Sequence, residues 1–225
     1  MSRSLKKIRF GAFQSSRNNV GFYTKKILPC LLDLAMTRPE LGSHRRQLLS
    51  GVTGEILEIG FGTGANLPYY PKHVKEITAI DSNAGMTPFV QRRMKARGVQ
   101  VKHLEADAHA LPFPENAFDT IVTTWTLCSV ENLDRVLHEI SRVLRPGGKF
   151  YFLEHGRSPE GRVFRLQRLL NPLNRTVAGG CELTREISTQ VKLAGFELER
   201  LENFYIEKFP RTHGYMFQGW ARKSP

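Results

Sequence analysis

The 225-residue sequence predicts an α/β fold: a doubly wound sheet, mostly parallel, that ends in an antiparallel hairpin. Across residues 54–155, short apolar segments alternate with amphipathic ones, which is the pattern of parallel strands joined by helices. The last two apolar segments follow one another with no helical pattern between them, so we expect them to pair antiparallel. This length suits one domain that buries its own core.

The N-terminal part is expected to be helical. Apolar residues recur at helical spacing over residues 19–36, where Pro29 either kinks the helix or starts a second one because it lacks an amide hydrogen. A short helix is expected at residues 45–49. We assign residues 19–50 to a helical lid on a domain that spans residues 19–225.

Seven strands are predicted from apolar runs bounded by glycine, proline or acidic residues. In chain order they span residues 55–60, 76–81, 99–104, 118–124, 149–154, 196–206 and 214–221. Two helices are expected at residues 84–97 and 132–144, the second of them ended by Pro146-Gly147-Gly148. Parallel strands bring their carboxyl ends to one edge of the sheet, where such sheets bind ligands.

The charge is unusual, at +12 from 33 basic and 21 acidic residues. Residues 1–50 carry a net +8, part of it in a basic segment, residues 1–18, that we expect to be flexible. A second basic stretch covers residues 157–175. Such surfaces suit anionic partners, or else only aid solubility. Phe10 and Phe13 lie among the first charges, which favours weak contact of that segment with an anionic membrane.

Several protein classes are disfavoured by composition. No run approaches ~20 apolar residues, and the basic N terminus has no apolar run behind it, so we expect a cytoplasmic protein, or one peripheral on the inner membrane face. Cys30, Cys128 and Cys181 show no CxxC pair and no histidine spacing typical of zinc, which predicts free thiols without a metal or disulfide. We find no RNA-binding module, so no nucleic-acid partner is expected.

A glycine-rich loop, residues 58–64 (EIGFGTG), directly follows the first predicted strand. Glycine lets the backbone turn tightly and approach a ligand, and the following helix offers free amides. Asp81, with Ser82 beside it, ends the second strand, where a carboxylate can accept hydrogen bonds from ribose hydroxyls. NAD also fits this pattern, since Asp81 lies 21 residues past Gly60.

Two details favour S-adenosylmethionine over NAD. The third glycine follows the second by two positions, whereas the dinucleotide fingerprint has three. Asp107-Ala108 follows the third strand and places a carboxylate near the expected position of an adenine amino group. A glycine turn without a ligand is the alternative. A Rossmann-like domain that binds S-adenosylmethionine is predicted from four features together: the glycine-rich loop, Asp81, Asp107 and the C-terminal antiparallel hairpin.

Further motifs resemble a known family. The segments LEIGFGTGAN (57–66), LPFP (111–114), FD (118–119) and RVLRPGG (142–148) are similar to class I methyltransferases near the ubiquinone/menaquinone-biosynthesis enzymes. The segments TLCSV (126–130), FLEH (152–155) and GGCELTRE (179–186) resemble the thiol S-methyltransferase-like branch. The resemblance covers residues 18–222 and implies methyl transfer from S-adenosylmethionine to a small lipophilic acceptor, a thiol first of all.

The resemblance and the strand ends together give a set of candidate residues. The candidate cofactor-binding residues are Glu58, Gly60, Gly62, Gly64, Asn66, Asp81, Ser82, Asp107, Ala108 and Thr124. The candidate substrate-pocket residues are Tyr23, Trp125, Cys128 and Arg185.

Three of the acceptor-side candidates have specific expected roles. His155 is the candidate base or acceptor-orienting residue, and a purely structural histidine is the alternative. Cys128 is expected to line the pocket, because methyl transfer needs no enzyme nucleophile. Arg185 is expected to pair with Glu154, to steer an anionic acceptor, or to cap a helix that starts at Thr184.

Two other functions remain open at this point. One is a phospholipid or quinol-type methyltransferase at the membrane surface. The other is an S-adenosylmethionine- or RNA-binding protein that has the fold without catalysis.

Overall fold

One seven-stranded sheet flanked by helices forms the described part of the chain, residues 33–223 without 35 and 83–86, in a computed structural model. The expectations for residues 1–18, for Tyr23 and Cys30, and for most of the lid fall outside the described residues. Among those residues, no helix is both long and apolar enough to cross a membrane.

The strands agree with the predicted ones to within a few residues. They are β1 Ile56–Ile59, β2 Glu76–Asp81, β3 Gln100–Glu105, β4 Phe118–Thr124, β5 Leu144–His155, β6 Phe196–Tyr205 and β7 Tyr215–Lys223. The helices are α1 Pro39–Leu49, α2 Thr87–Arg97, α3 Leu133–Val143, α4 Gly161–Val177, α5 Ile187–Leu193 and the single turn α6 Arg211–Gly214.

The strand order is β3-β2-β1-β4-β5-β7-β6. The five strands from β3 to β5 are parallel, and β7 runs antiparallel between β5 and β6. The antiparallel ending is therefore confirmed. The five parallel strands bring their carboxyl ends to one edge of the sheet.

Each face of the sheet packs against its own helices, because side chains alternate along a strand. Along β5, Phe150 and Phe152 join the core that contains α3 and α5, whereas Tyr151 and Leu153 join the core that contains α1 and α2. All four are at most 3% exposed, so β5 is covered on both faces. A strand buried in this way gives a rigid support for the residues at its end.

Four features of the connections differ from the predictions. After the glycine loop, where a helix was expected, the chain forms turns and a single 3-10 turn, Leu67–Tyr69. Between β6 and β7, where no helix was expected, the chain forms the turn α6. The basic stretch at residues 157–175 mostly forms α4, a helix of 17 residues for which we made no prediction. Strand β5 begins at Leu144 and runs through Pro146-Gly147-Gly148, the segment that was expected to end the preceding helix. That helix instead ends at Val143, where the chain turns directly into the strand.

Candidate active site

A cavity of about 630 Å³ opens at the carboxyl edge of the parallel strands. It reaches from the end of β2 to the end of β5, three strand spacings or roughly 14 Å, which is enough for a nucleoside-sized ligand beside a smaller molecule. Twelve predicted site residues line it, namely Glu58, Gly60, Gly62, Asn66, Asp81, Ser82, Asp107, Ala108, Thr124, Trp125, Cys128 and His155. Gly64 and Arg185 are absent from this lining.

The glycine loop turns at Gly60, whose φ is 71°. A β carbon at Gly60 would lie 2.1 Å from the Thr126 hydroxyl oxygen, so only glycine fits against the loop that follows β4. The Gly62 amide donates a hydrogen bond of 2.7 Å to Asp81 Oδ2. The Asp81 carboxylate is thereby fixed at the end of β2, beside the cavity.

A buried polar network supports the wall of the cavity behind this loop. Glu58 is 1% exposed, and its two carboxylate oxygens accept hydrogen bonds from Asn66 Nδ2 at 2.9 Å and from the Tyr70 hydroxyl at 2.7 Å. Burial raises the pKa of Glu58 to about 7, although both hydrogen bonds act to lower it. Asn66 also donates to Thr124 Oγ1 at 3.0 Å, which ties β1 to the end of β4.

Arg45 joins this network, although the sequence identified it only as part of a short helix. It is 2% exposed, contacts Asn66 Oδ1, and places its guanidinium 4.7 Å from the ring centroid of Trp125. Trp125 itself has a φ of 52°, which is unusual for a bulky residue and is frequent at functional sites.

The Arg45 Nε atom is buried without a hydrogen-bond partner in the described part of the chain. Burial lowers the pKa of Arg45 to about 10, so the side chain stays protonated at neutral pH. The Arg45 side chain is part of the cavity wall, so its positive charge favours an anionic group in the cavity. No sequence signal separates such an arginine from the many that lie on helix surfaces.

Asp107 lines the cavity after the end of β3. The sequence did not predict the partner that orients it, His109. Its Oδ1 accepts from the His109 amide at 2.9 Å and lies 2.6 Å from His109 Nδ1. The backbone hydrogen bond from His109 is the largest cause that lowers the pKa of Asp107. The carboxylate is therefore ionised and oriented at neutral pH.

Two cysteines and His155 meet at the wall of the cavity beside the ends of β4 and β5, called the far wall below. The Cys181 sulfur lies 3.9 Å from the Cys128 sulfur and 3.4 Å from His155 Nε2. The hydrogen bond with Cys128, and then the nearby His155, lower the pKa of the Cys181 thiol and outweigh its burial. Spacing along the chain gave no sign of this cluster, because its members come from three separate segments.

Arg185 has other partners than those predicted. Glu154 is fully buried, accepts hydrogen bonds from the amides of Thr126 at 3.1 Å and Cys128 at 3.4 Å, and has its pKa raised to about 7 by burial. The Arg185 guanidinium instead pairs with Glu182 at 3.2 Å and contacts the carbonyls of Leu127 and Val130.

The predicted Arg185–Glu154 pair is therefore wrong, because backbone amides occupy the Glu154 carboxylate. The cap at Thr184 is wrong as well, since helix α5 begins only at Ile187. Arg185 lies in an open depression that adjoins the cavity, because Asp107 and His109 line both.

Comparisons with known proteins agree with this geometry. The profile of a family described as methyltransferase domain matches residues 57–152. A thiol S-methyltransferase of Rattus norvegicus, TMT1B, is 34% identical over 184 residues, 75% of this chain and 73% of that protein. A phosphatidylethanolamine N-methyltransferase of Cereibacter sphaeroides is 32% identical over 180 residues, 78% of this chain and 84% of that protein.

Solved structures share the fold. A SAM-dependent methyltransferase of Thermotoga maritima superposes with a TM-score of 0.64, over 90% of this chain and 98% of that one. At 19% sequence identity, this likeness supports the fold alone.

Proposed function

Because the chain belongs to the class I S-adenosylmethionine-dependent methyltransferases, we propose that it methylates the sulfur of a small lipophilic thiol. S-adenosylmethionine is the methyl donor and supplies a methyl group activated on a positively charged sulfur. The thiol is proposed from the relatives at 34% identity and from the chemistry of the far cavity wall.

The residues at one end of the cavity fit the donor. Asp81 would accept from ribose hydroxyls, Asp107 would accept from the adenine amino group, and the positive charge of Arg45 would attract the carboxylate. Glu58 lines the same cavity and, when ionised, would favour the positive charge of the donor. This end of the cavity therefore offers a partner to each polar part of the donor.

The observation that carries the thiol proposal is the composition of the opposite wall. Cys128 and His155 are buried there beside Cys181, and the apolar side chains of Val130 and Phe209 line the same cavity. A thiolate and a sulfonium both lose charge as the methyl group moves, so a wall that excludes water favours the reaction. The chain's own task is to align the two sulfurs in line with the methyl carbon.

A radiolabelled-methyl assay over a panel of thiols, amines, quinols and phospholipids tests the acceptor. We expect lipophilic thiols to be methylated at least tenfold faster than the other classes. Methylation of an amine or a phospholipid without any thiol would contradict the thiol proposal and leave the methyltransferase assignment in place.

Replacing His155 with alanine is expected to lower turnover at least tenfold, because His155 lies at the acceptor wall. Binding of S-adenosylmethionine should change less than twofold, since the donor residues lie on other strands. Steady-state kinetics and calorimetry check the two expectations separately. His138, an exposed histidine on α3, provides the control variant His138→Ala, which should keep full turnover. Equal turnover in both variants would remove His155 from the mechanism.

A second candidate, a lipophilic acceptor reached at a membrane surface, is favoured by the outer face of α4. Leu166, Leu169 and Leu173 are 52%, 75% and 64% exposed, and they share one side of the helix. Helix α4 contains arginines and no acidic residue. An exposed apolar stripe beside positive charge suits an anionic bilayer. Asn174, also on α4, lines the cavity, so a docked membrane would lie near its mouth.

The double variant Leu169→Gln/Leu173→Gln is expected to lower binding to phosphatidylglycerol vesicles at least tenfold, because two leucines leave the apolar phase. Vesicle sedimentation at low and high salt measures this. Leu193→Gln is the matched control, since Leu193 on α5 is 76% exposed and lies outside the stripe. Equal losses in both variants would show that α4 is not the docking face. Deleting residues 1–16 measures the separate contribution predicted for the N terminus.

A further inference from the structure

Three side chains that metals prefer converge on the cavity wall from distant parts of the chain. Cys128 follows β4, His155 ends β5, and Cys181 lies in the loop after α4. One ligand atom of each lies within 4.8 Å of the others. Sulfur and imidazole nitrogen together are the ligands that zinc uses in proteins.

The distances match a tetrahedral zinc site. Bonds of about 2.3 Å to sulfur and 2.0–2.1 Å to nitrogen, at tetrahedral angles, place two sulfurs ~3.8 Å apart and sulfur and nitrogen ~3.5 Å apart. The observed separations are 3.9 Å between the Cys128 and Cys181 sulfurs and 3.4 Å between the Cys181 sulfur and His155 Nε2. A disulfide would need the sulfurs to approach to about 2.05 Å, so the present spacing favours a shared ion over a bond.

The two loops that carry the cysteines are held together by backbone contacts. The Glu182 amide donates to the Cys128 carbonyl oxygen at 2.8 Å. Arg185 contacts the carbonyls of Leu127 and Val130, which flank Cys128 in the loop after β4. Gly180 has a φ of 91°, and a β carbon there would lie 2.9 Å from the Ser129 carbonyl oxygen. The close approach of the two sulfurs is therefore built into the backbone.

A second layer of polar contacts orients the Cys181 loop. Asn174 on α4 donates through Nδ2 to the Cys181 carbonyl oxygen at 2.7 Å. Its Oδ1 lies 3.1 Å from His213 Nε2. Such outer contacts are typical of metal sites, where they fix the ligands before the ion binds.

We propose that Cys128, His155 and Cys181 bind one Zn²⁺ ion, and that its fourth position faces the cavity and takes the sulfur of the thiol acceptor. Three protein ligands with one open position are the arrangement of zinc sites that take part in reactions. All three ligand residues line the cavity, so the open position is accessible from it. The role of the fourth position rests on the proposed thiol methylation, whereas the three-ligand site does not.

The proposed ion accounts for how the acceptor is activated. A thiol that enters the open position loses its proton to solvent and binds as a thiolate. Its sulfur then forms the bond to the methyl carbon, while the bond from that carbon to the donor sulfur breaks and its electron pair stays on the donor sulfur. Two cysteine thiolates offset the charge of the ion, so the acceptor sulfur keeps enough electron density to react.

Metal binding is tested on the full chain without a histidine tag, purified in reductant. We expect about one zinc per chain by elemental analysis, and a tetrahedral visible spectrum with thiolate charge-transfer bands after exchange for Co²⁺. Cys181→Ser and Cys128→Ser should each weaken zinc binding at least tenfold, and Cys30→Ser, at the remaining cysteine, should not. Because Cys128 is buried, circular dichroism checks that its variant folds. A wild-type chain that binds neither Zn²⁺ nor Co²⁺ after reduction would overturn the site.

The open position is tested by titrating a small aliphatic thiol into the cobalt-loaded protein. We expect the charge-transfer absorption to increase by about one half, as a third sulfur joins two. An unchanged spectrum would overturn the assignment of the open position. A changed spectrum in a protein that methylates no thiol would instead support the metal site and contradict the proposed function, so the two failures are distinguishable.

Discussion

Replacing Asp81 with alanine should weaken the binding of S-adenosylmethionine by roughly 10- to 150-fold, or ~1.5–3 kcal/mol, the scale of hydrogen bonds to a charged group. The carboxylate lies at the end of β2, held by the Gly62 amide at 2.7 Å and directed to the cavity. The variant would lose the proposed acceptor for the ribose and also the hydrogen bond that holds the Gly62 amide. Isothermal titration calorimetry measures the change.

Two controls separate these contributions. Asp81→Asn keeps an acceptor oxygen for the Gly62 amide but removes the charge, so it should show an intermediate loss. Glu105→Ala removes an exposed carboxylate from the end of the neighbouring strand β3 and should bind the donor normally. Tight binding of NAD together with no binding of S-adenosylmethionine would contradict the cofactor assignment altogether.

The contribution of Glu58 to the free energy of unfolding should fall as the pH rises from about 4.5 to about 7. The pKa of Glu58 is near 4.5 in the unfolded chain and is raised to about 7 in the fold, so the folded state binds the proton more tightly. Its stabilising contribution is complete below the unfolded value and is lost as the pH rises through the folded value. A shift of this size corresponds to about 3 kcal/mol per group.

Urea unfolding between pH 4.5 and 8 measures this dependence. Glu154, whose pKa is also raised to about 7, acts with the same sign, so Glu58→Gln should remove about half of the decline. The variant Glu55→Gln, at an exposed glutamate three residues away, should leave the decline unchanged. A decline as steep in Glu58→Gln as in the wild-type protein would contradict the raised pKa of Glu58.

The order and type of the sheet elements could be predicted because their signals are local. Each strand is a short apolar run with its own boundary residues, and β2 and β4 match their predicted bounds at 76–81 and 118–124. Helix α4 escaped prediction because its exposed face carries leucines as well as arginines, so no polar face balances an apolar one. A surface stripe of this kind obscures the periodicity on which the prediction depends.

The candidate site was predictable on the proposed donor side and much less so on the proposed acceptor side. The glycine loop follows β1 and Asp81 ends β2, and these are the two parallel strands of one βαβ unit. Such a unit brings the ends of its strands side by side, so the sequence alone predicts that the loop and the acid meet. The meeting of Cys128 and Cys181 depends on how a loop after α4 returns to β4, which no spacing rule describes. Arg45 illustrates the same limit, because its burial results from long-range packing against Asn66 and Trp125.

The position of β7 has a consequence for how the protein is made. Although β7 comes after β6 in the chain, it lies between β5 and β6 and pairs with both. During synthesis, β5 therefore keeps an open edge until residues 215–223 leave the ribosome, and β6 has no neighbour to join. Open strand edges attract other chains. The sheet is therefore completed late in synthesis. A chain truncated shortly before Tyr215 would keep the open edge of β5 and would be prone to aggregate.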